Sequence, residues 1–347
     1  MMRPNLFEIV ATAWQDYDSS RSMQRIEDIS ALVSTNHVFR VRLENNDFVI
    51  AKVSYFGRYE NFVEDHSLIN VLANNLPAPF DNFLSRSLLK KGELYTYRHE
   101  ADTLDVWVVF YNPISVDRML PKQLGSRQID ALGRQLAQFH RACTNLKNTL
   151  PDWSKTLRRD MEDLSAWLKG PDGKAKHLDN IYSIEKQMSF FEENTEALDA
   201  HSWFSIPVFL DWNIGNFSVT QDVQFFSRWD YDWFRMSSRV FDFYFFSRVC
   251  SSLGDRSVFS YGPDTMLEKG FTRFLSAYNE IYPLNREELE FLPEAYRFFI
   301  LNYVIRHGRY FFQEIYATKL EREAFTDYFP RLEEISMVDK ICDSLRL

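Results

Sequence analysis

Along the first third of the chain apolar and polar residues tend to alternate, whereas further on apolar residues recur every three to four positions, a change of period that separates strands from helices. His37 to Leu43 and Phe48 to Val53 are short β-branched and aromatic runs around Asn45, Asn46 and Asp47, the pattern of a hairpin. From about Tyr59 to Asn74 the spacing of Phe62, His66, Ile69 and Ala73 predicts one helix, ended near Leu76 because Pro77 and Pro79 cannot extend it. Two further strands are predicted over Leu94 to Arg98 and Val106 to Phe110, and Tyr111, Asn112 and Pro113 make a candidate hinge.

Beyond that point the pattern is helical. Ser126 is placed to cap a helix whose apolar stripe is Ile129, Leu132, Leu136, Phe139 and Cys143. Further helices are predicted from Leu157 to Leu168, broken by Gly170, Pro171, Asp172 and Gly173, and from Ile181 to Leu198. Between His201 and Trp233 helical periodicity gives way to two short apolar runs around polar turns, and from Arg239 it returns. The expected organisation is an α+β chain with a small antiparallel-sheet lobe carrying one helix, residues 1–111, and a larger mainly helical lobe, residues 112–347.

Composition narrows the function classes. A net charge of −9 with no basic run argues against a nucleic-acid binder, whose affinity rests on clustered Lys and Arg. No apolar segment has the length of a membrane span and no leader pattern follows MMRPNLFEIV, so the expected setting is cytoplasmic, with no membrane partner. Cys143, Cys250 and Cys342 stand far apart without a C-x-x-C pair, which predicts reduced core thiols. The histidines show no metal spacing of the H-E-x-x-H kind. The aromatic residues around Trp229 to Phe246 are expected to be core.

The stretch Phe209-Leu210-Asp211-Trp212-Asn213-Ile214-Gly215-Asn216, followed by Arg228-Trp229-Asp230-Tyr231-Asp232, holds the candidate chemistry. Asp211 and Asn216 are five apart across a Gly-containing turn, and Asp230 follows a strand-like run, so the three can converge at one end of a small hairpin. Phosphoryl transfer needs such a set: a carboxylate to take the hydroxyl proton, an amide oxygen and a second carboxylate for magnesium, and a lysine for the phosphates. Lys52, near the end of the Phe48 to Lys52 strand, with Glu64 on the helix that follows, has the arrangement of a strand lysine held by a helix glutamate.

These residues, in this order, resemble the aminoglycoside phosphotransferase and choline kinase-like family, whose fold is similar to that of protein kinases. The likeness runs from about Asn36 to Tyr316. That family's brace reads H-G-D-x-x-x-x-N, a short strand, then I-D-W or I-D-F with a further Asp about twelve residues on; here stand Asp211, Asn216, Asp230 and Asp242. Leu132, Leu136 and His140 match its L-x-x-x-L-x-x-x-H helix, and Gly270 to Tyr278 a late G-F-x-x-F-L-x-x-Y. The resemblance implies a bilobal protein kinase-like fold and transfer of the γ-phosphate of ATP or GTP to a small-molecule hydroxyl acceptor, by a monomer or homodimer. It also implies Asp211 as base, Asn216 and Asp230 on Mg2+, and Lys52 on the phosphates with Glu64 holding it. Ser34, Thr35 and Asn36 would occupy the nucleotide-loop position, Asp232 would assist the metal or position the acceptor, and Asp242 would tie the following helix to the catalytic loop.

Three positions depart from the pattern. Phe209-Leu210 replaces the His-Gly before the base, Ala31 to Val41 contains no glycine, and the hinge holds Pro113, which has no amide hydrogen. Two other readings therefore stand beside the small-molecule kinase: a nucleotide-binding pseudokinase or scaffold without efficient transfer, and a Ser/Thr protein kinase of the same fold.

Overall fold

The computed structural model describes residues 5–101, 104–253, 259–334 and 337–346. Its contacts divide the chain into two compact units, residues 1–115 with 309–316, and residues 116–308 with 317–347.

The first unit is built on an antiparallel sheet of β1 (Met23–Asp28), β2 (His37–Leu43), β3 (Phe48–Ser54), β6 (Thr96–Ala101) and β7 (Leu104–Tyr111), in the order β1-β2-β3-β7-β6; β4 (Leu89–Lys90) and β5 (Glu93–Leu94) form a separate two-residue ladder. The β2–β3 hairpin turns where Asn46 takes a φ of 67°, a left-handed conformation that Asn tolerates better than most residues. Because side chains alternate, the sheet has two distinct faces. One carries Phe39, Val41, Val49, Ala51, Val53, Val108 and Phe110 and is covered by α1 (Leu6–Tyr17) through Ile9, Val10, Ala13 and Trp14. The other carries Lys52, paired with Val38 and Val109, and receives α2 (Tyr59–Asn75), whose His66 Nε2 lies 2.6 Å from the Tyr111 hydroxyl. Among the described residues up to Tyr111 there are therefore two helices, α1 and α2, and not the one predicted. The first, α1, is capped by Asn5, whose Oδ1 accepts from the Phe7 amide at 3.2 Å.

In the second unit, α3 (Ser126–Leu146) packs along α8 (Lys269–Ile281). Their backbones come so close that a Cβ on Gly133 would stand 2.4 Å from the Phe274 carbonyl oxygen, which excludes any side chain there. The predicted stripe of α3 is buried throughout. The cap is Gly125 and not Ser126, because the Gln128 side chain reaches back to accept the Gly125 amide at 2.9 Å. After α4 (Leu157–Lys169), Gly170 ends one helix and at once starts another, α5 (Pro171–His177), with Pro171 at its first position. Then come α6 (Ile181–Ala197), two small hairpins, α7 (Phe243–Val249) and later helical segments as far as Leu345. The hairpins pair β8 (Ile206–Val208) with β11 (Arg235–Ser237) and β9 (Phe217–Val219) with β10 (Phe225–Arg228). Tyr231, Trp233, Phe234 and Phe241 to Phe246 are buried, so these aromatic runs are core. No helix among the described residues is long and apolar enough to cross a membrane. The α+β class, with a sheet-based unit and a mainly helical one, is as the sequence predicts.

Candidate functional site

The loop from Phe209 to Asn216 leaves β8 and enters β9, and it is fixed at three points. At its start the amides of Phe209 and Leu210 both donate to Asp242 Oδ1, at 2.8 and 2.7 Å. Leu210 needs that restraint: its φ is 54°, a left-handed conformation costing a side-chain-bearing residue about 1–2 kcal/mol. The glycine of the H-G-D pattern falls at this position, so the missing glycine is replaced by a strained leucine that the Asp242 carboxylate holds in place. At its far end Asn216 is tied to the second hairpin, its carbonyl accepting the Trp229 amide at 3.0 Å. That bond brings Asn216 beside Asp230, itself at a φ of 66°. Non-glycine residues in such conformations cluster at working sites.

In the middle, Asp211 Oδ1 accepts from the backbone and side-chain nitrogens of Asn213 at 3.2 and 2.5 Å, which orients the carboxylate. The Asp211 carbonyl accepts from Asn216 Nδ2 at 3.4 Å and from Arg228 Nη2 at 2.9 Å. The Asn216 backbone thus meets the residue before Asp230, and Asn216 donates to the Asp211 carbonyl. Among the described residues no three His, Cys, Asp or Glu side chains form a metal-binding group. An Asn–Asp pair supplies one carboxylate and one amide oxygen, a smaller donor set than such a group.

Behind the loop lies a buried relay. Asp242 Oδ2 is 3.0 Å from His140 Nε2, and His140 Nδ1 is 2.8 Å from the Tyr278 hydroxyl. Burial pulls the His140 pKa below its ordinary value although Asp242 acts the other way. The neutral ring then donates from Nε2 to Asp242 and accepts the Tyr278 proton at Nδ1. His140, Asp242 and Tyr278 all lie in the family-like segments, and their role here is to join α3, α7 and α8 to the loop.

The other candidate residues belong to the first unit. Lys52 is buried on β3, on the face that α2 covers, and Glu64 is half-buried on α2. Asn36 lies just before β2, two residues ahead of Val38, the partner of Lys52, and is buried. Val33, Ser34 and Thr35 are held by residues 310–313 of the same unit. Ser34 and Phe312 form a β-bridge, the Thr35 amide donates to the Phe311 carbonyl at 3.3 Å, and the Thr35 hydroxyl donates to the Tyr310 carbonyl. Gln313 donates from its amide to the Val33 carbonyl at 3.0 Å and from Nε2 to the Ser34 carbonyl at 2.8 Å. The Ser34 amide goes to the Ala31 carbonyl and the Asn36 amide to Ser34 Oγ, both at 3.0 Å.

Sequence reasoning missed two components, Arg228 and the 310–313 segment. An arginine closing the apolar run Phe225-Phe226-Ser227 was a visible irregularity; the contact between residues some 275 apart left no local trace.

No family model and no curated protein sequence matches the chain. Solved structures do. An amicoumacin kinase in complex with AMP-PNP, Ca2+ and Ami aligns at a TM-score of 0.64 with 12% identity, over 95% of this chain and 94% of that one. A microcompartment-associated aminopropanol kinase aligns at 0.60 with 14% identity, over 90% and 92%. An ADP-bound aminoglycoside phosphotransferase aligns at 0.53 with 13% identity, over 89% and 96%. At these identities the likeness is one of architecture, and the fold of this chain is the kinase-like fold of small-molecule and aminoglycoside phosphotransferases.

Proposed function

We propose that the protein transfers the γ-phosphate of a nucleoside triphosphate to the hydroxyl of a small-molecule acceptor. The observation that carries this reading is the oriented Asp211 carboxylate, set beside Asn216 and Asp230 on a braced loop within a fold of this kind.

Asp211 accepts the acceptor's proton as the hydroxyl oxygen takes the phosphoryl group; Asn213 keeps its carboxylate in one orientation. Asn216 and Asp230 offer hard oxygen donors, which suit Mg2+. When bound, the metal neutralises charge on the phosphate oxygens. Lys52 pairs with the phosphates, Glu64 holds Lys52, and Ser34, Thr35 and Asn36 line the nucleotide. Cys143, Cys250 and Cys342 are buried free thiols, in keeping with work in the reducing cytoplasm.

A thermal-shift titration with ATP and GTP, with and without magnesium, tests the reading on the wild type, Asp230→Asn and Asp211→Ala. Magnesium-dependent stabilisation should be lost in Asp230→Asn. Asp211→Ala should keep nucleotide binding and lose transfer; transfer at the wild-type rate would remove Asp211 from the role. A second reading, nucleotide binding without efficient transfer, is favoured by the nucleotide loop, where the Ser34, Thr35 and Asn36 amides are all engaged within the unit. It predicts stabilisation by nucleotide with no turnover on any acceptor.

A further inference from the structure

Arg228, the last residue of β10, is fully buried. Its guanidinium carbon lies 4.6 Å from the Phe209 ring centroid and 4.2 Å from the Trp212 ring centroid. Nη2 donates to the Asp211 carbonyl at 2.9 Å, whereas Nε and Nη1 have no hydrogen-bond partner. Burial pulls its pKa down, opposed by the charges of Asp242, Asp211, Tyr231 and Asp230. Taking a guanidinium out of water without a partner carboxylate at hydrogen-bond distance is costly, and an apolar residue of the same volume would ordinarily suit such a site better. The surroundings favour one, since Trp212, Phe217 and Phe225 pack against each other beside it. What the arginine adds is a charged hydrogen bond to one atom, the Asp211 carbonyl oxygen, and cation–π contact with two aromatic rings of the loop, Phe209 and Trp212.

That carbonyl is the junction of the loop, for it also accepts from Asn216 Nδ2. With its nitrogen turned to Asp211, the Asn216 amide keeps Oδ1 as its acceptor for a cation. We propose that Arg228 is the positioning residue that sets Asp211 and Asn216 in register, supplying from the neighbouring strand the orientation that Phe209 cannot give where the resembling family has histidine. The functional part of this inference rests on Asp211 and Asn216 being the base and the metal ligand; the bracing of the loop by Arg228 does not.

The test uses the full chain with Arg228→Met, which keeps the apolar stem and removes the cation and its donors. The expected result has three parts. Thermal stability stays at or above that of the wild type, since an uncompensated buried charge is gone. Amide exchange over residues 211–216 quickens by about tenfold or more while the rest of the second unit keeps its protection. ATP turnover, read as phosphate release with water as acceptor, falls about a hundredfold with KM for ATP changed by no more than about threefold. Arg228→Lys, which retains charge and a donor, recovers part of both the exchange protection and the turnover. A lower melting temperature with protection lost throughout the unit would make Arg228 an ordinary core residue and overturn the proposal, as would unchanged exchange over 211–216. Should the wild type turn over no nucleotide, the kinase reading falls, and the exchange and melting measurements still decide whether Arg228 braces the loop.

Discussion

Two loops depart from the resembling family's pattern at the residues that ordinarily shape them, and each is braced differently. Residues 31–36, without glycine, are pinned mostly through backbone groups of residues 310–313, in a half-exposed setting where Leu32 is 93% exposed. Residues 209–216, without the His-Gly pair, are pinned largely by buried side chains, Asp242 and Arg228. A hydrogen bond near water contributes about 0.5–1.5 kcal/mol net, because water replaces it when it opens. A buried charged acceptor serving two amides has no such replacement. The first brace therefore opens at a smaller cost than the second.

Removing the side chain of Asp242 breaks the second brace most severely. Asp242→Ala strips the acceptor from two amides in a segment where Phe209 and Leu210 are each 1% exposed, and from His140 Nε2. Loss of one partner from such a network costs about 3–5 kcal/mol. At about 2–4 °C per kcal/mol for a unit of this size, the melting temperature should fall on the order of 10 °C by calorimetry. Asp242→Asn, which keeps an oxygen for the two amides, should lose clearly less. Equal losses in the two variants would mean that packing, and not the carboxylate, holds the loop.

Acid should separate the two units without any substitution. In the second unit His140 and His307 both have pKa values pulled below 6.5 by burial. The unfolded chain then takes up their protons first as pH falls, so the stability they contribute is complete above about pH 6.5 and declines below it. The decline approaches about 1.4 kcal/mol per pH unit for each histidine until its folded pKa is reached. In the first unit, carboxylates are held low instead: Asp16 by hydrogen bonds from Tyr95 and Lys90, Asp105 by Arg98, and Asp18, at about 2, by Ser20 and Arg21. Their contribution is lost only below the ordinary carboxylate value of 3.8. Amide exchange at pH 7.5 and 5.5 should therefore show protection falling in the second unit, while the carboxylate contribution of the first is still whole; His140→Gln should lessen the fall.

The same contrast explains what could be read from the sequence. The β2–β3 hairpin was legible because Asn45, Asn46 and Asp47 interrupt an alternating pattern, and α3 because its stripe repeats over about four turns. Helix α1 carries a usable signal, Asn5 before Ile9, Val10, Ala13 and Trp14. Strand β1, Met-Gln-Arg-Ile-Glu-Asp, shows no alternation to read, because a bulge between Met23 and Arg25 brings Met23 and Ile26, three apart, onto the core face opposite Leu43 and Val41. At the candidate site the order Lys52, Asp211, Asn216, Asp230, Asp242 was visible. The role of Arg228 and that of the 310–313 segment were not, since both come from contacts that no local period encodes.

The nucleotide-loop brace should yield to a gentler change. Gln313 is exposed, and its side chain contributes one of the hydrogen bonds holding the loop, to the Ser34 carbonyl at 2.8 Å. Gln313→Ala removes that bond and leaves the backbone bridge and the buried Phe311 and Phe312 in place. A loss of about 1 kcal/mol confined to this contact makes its opening about fivefold more frequent without lowering global stability measurably. Amide exchange at Thr35, whose N–H donates to Phe311, is the direct readout and should quicken by that factor while residues 209–216 do not change. If a nucleotide phosphate competes with the Phe311 carbonyl for that amide, the same variant binds ATP somewhat more tightly, because less of the brace remains to be displaced. Weaker binding would mean that the 310–313 segment holds the loop ready for the nucleotide instead of competing with it.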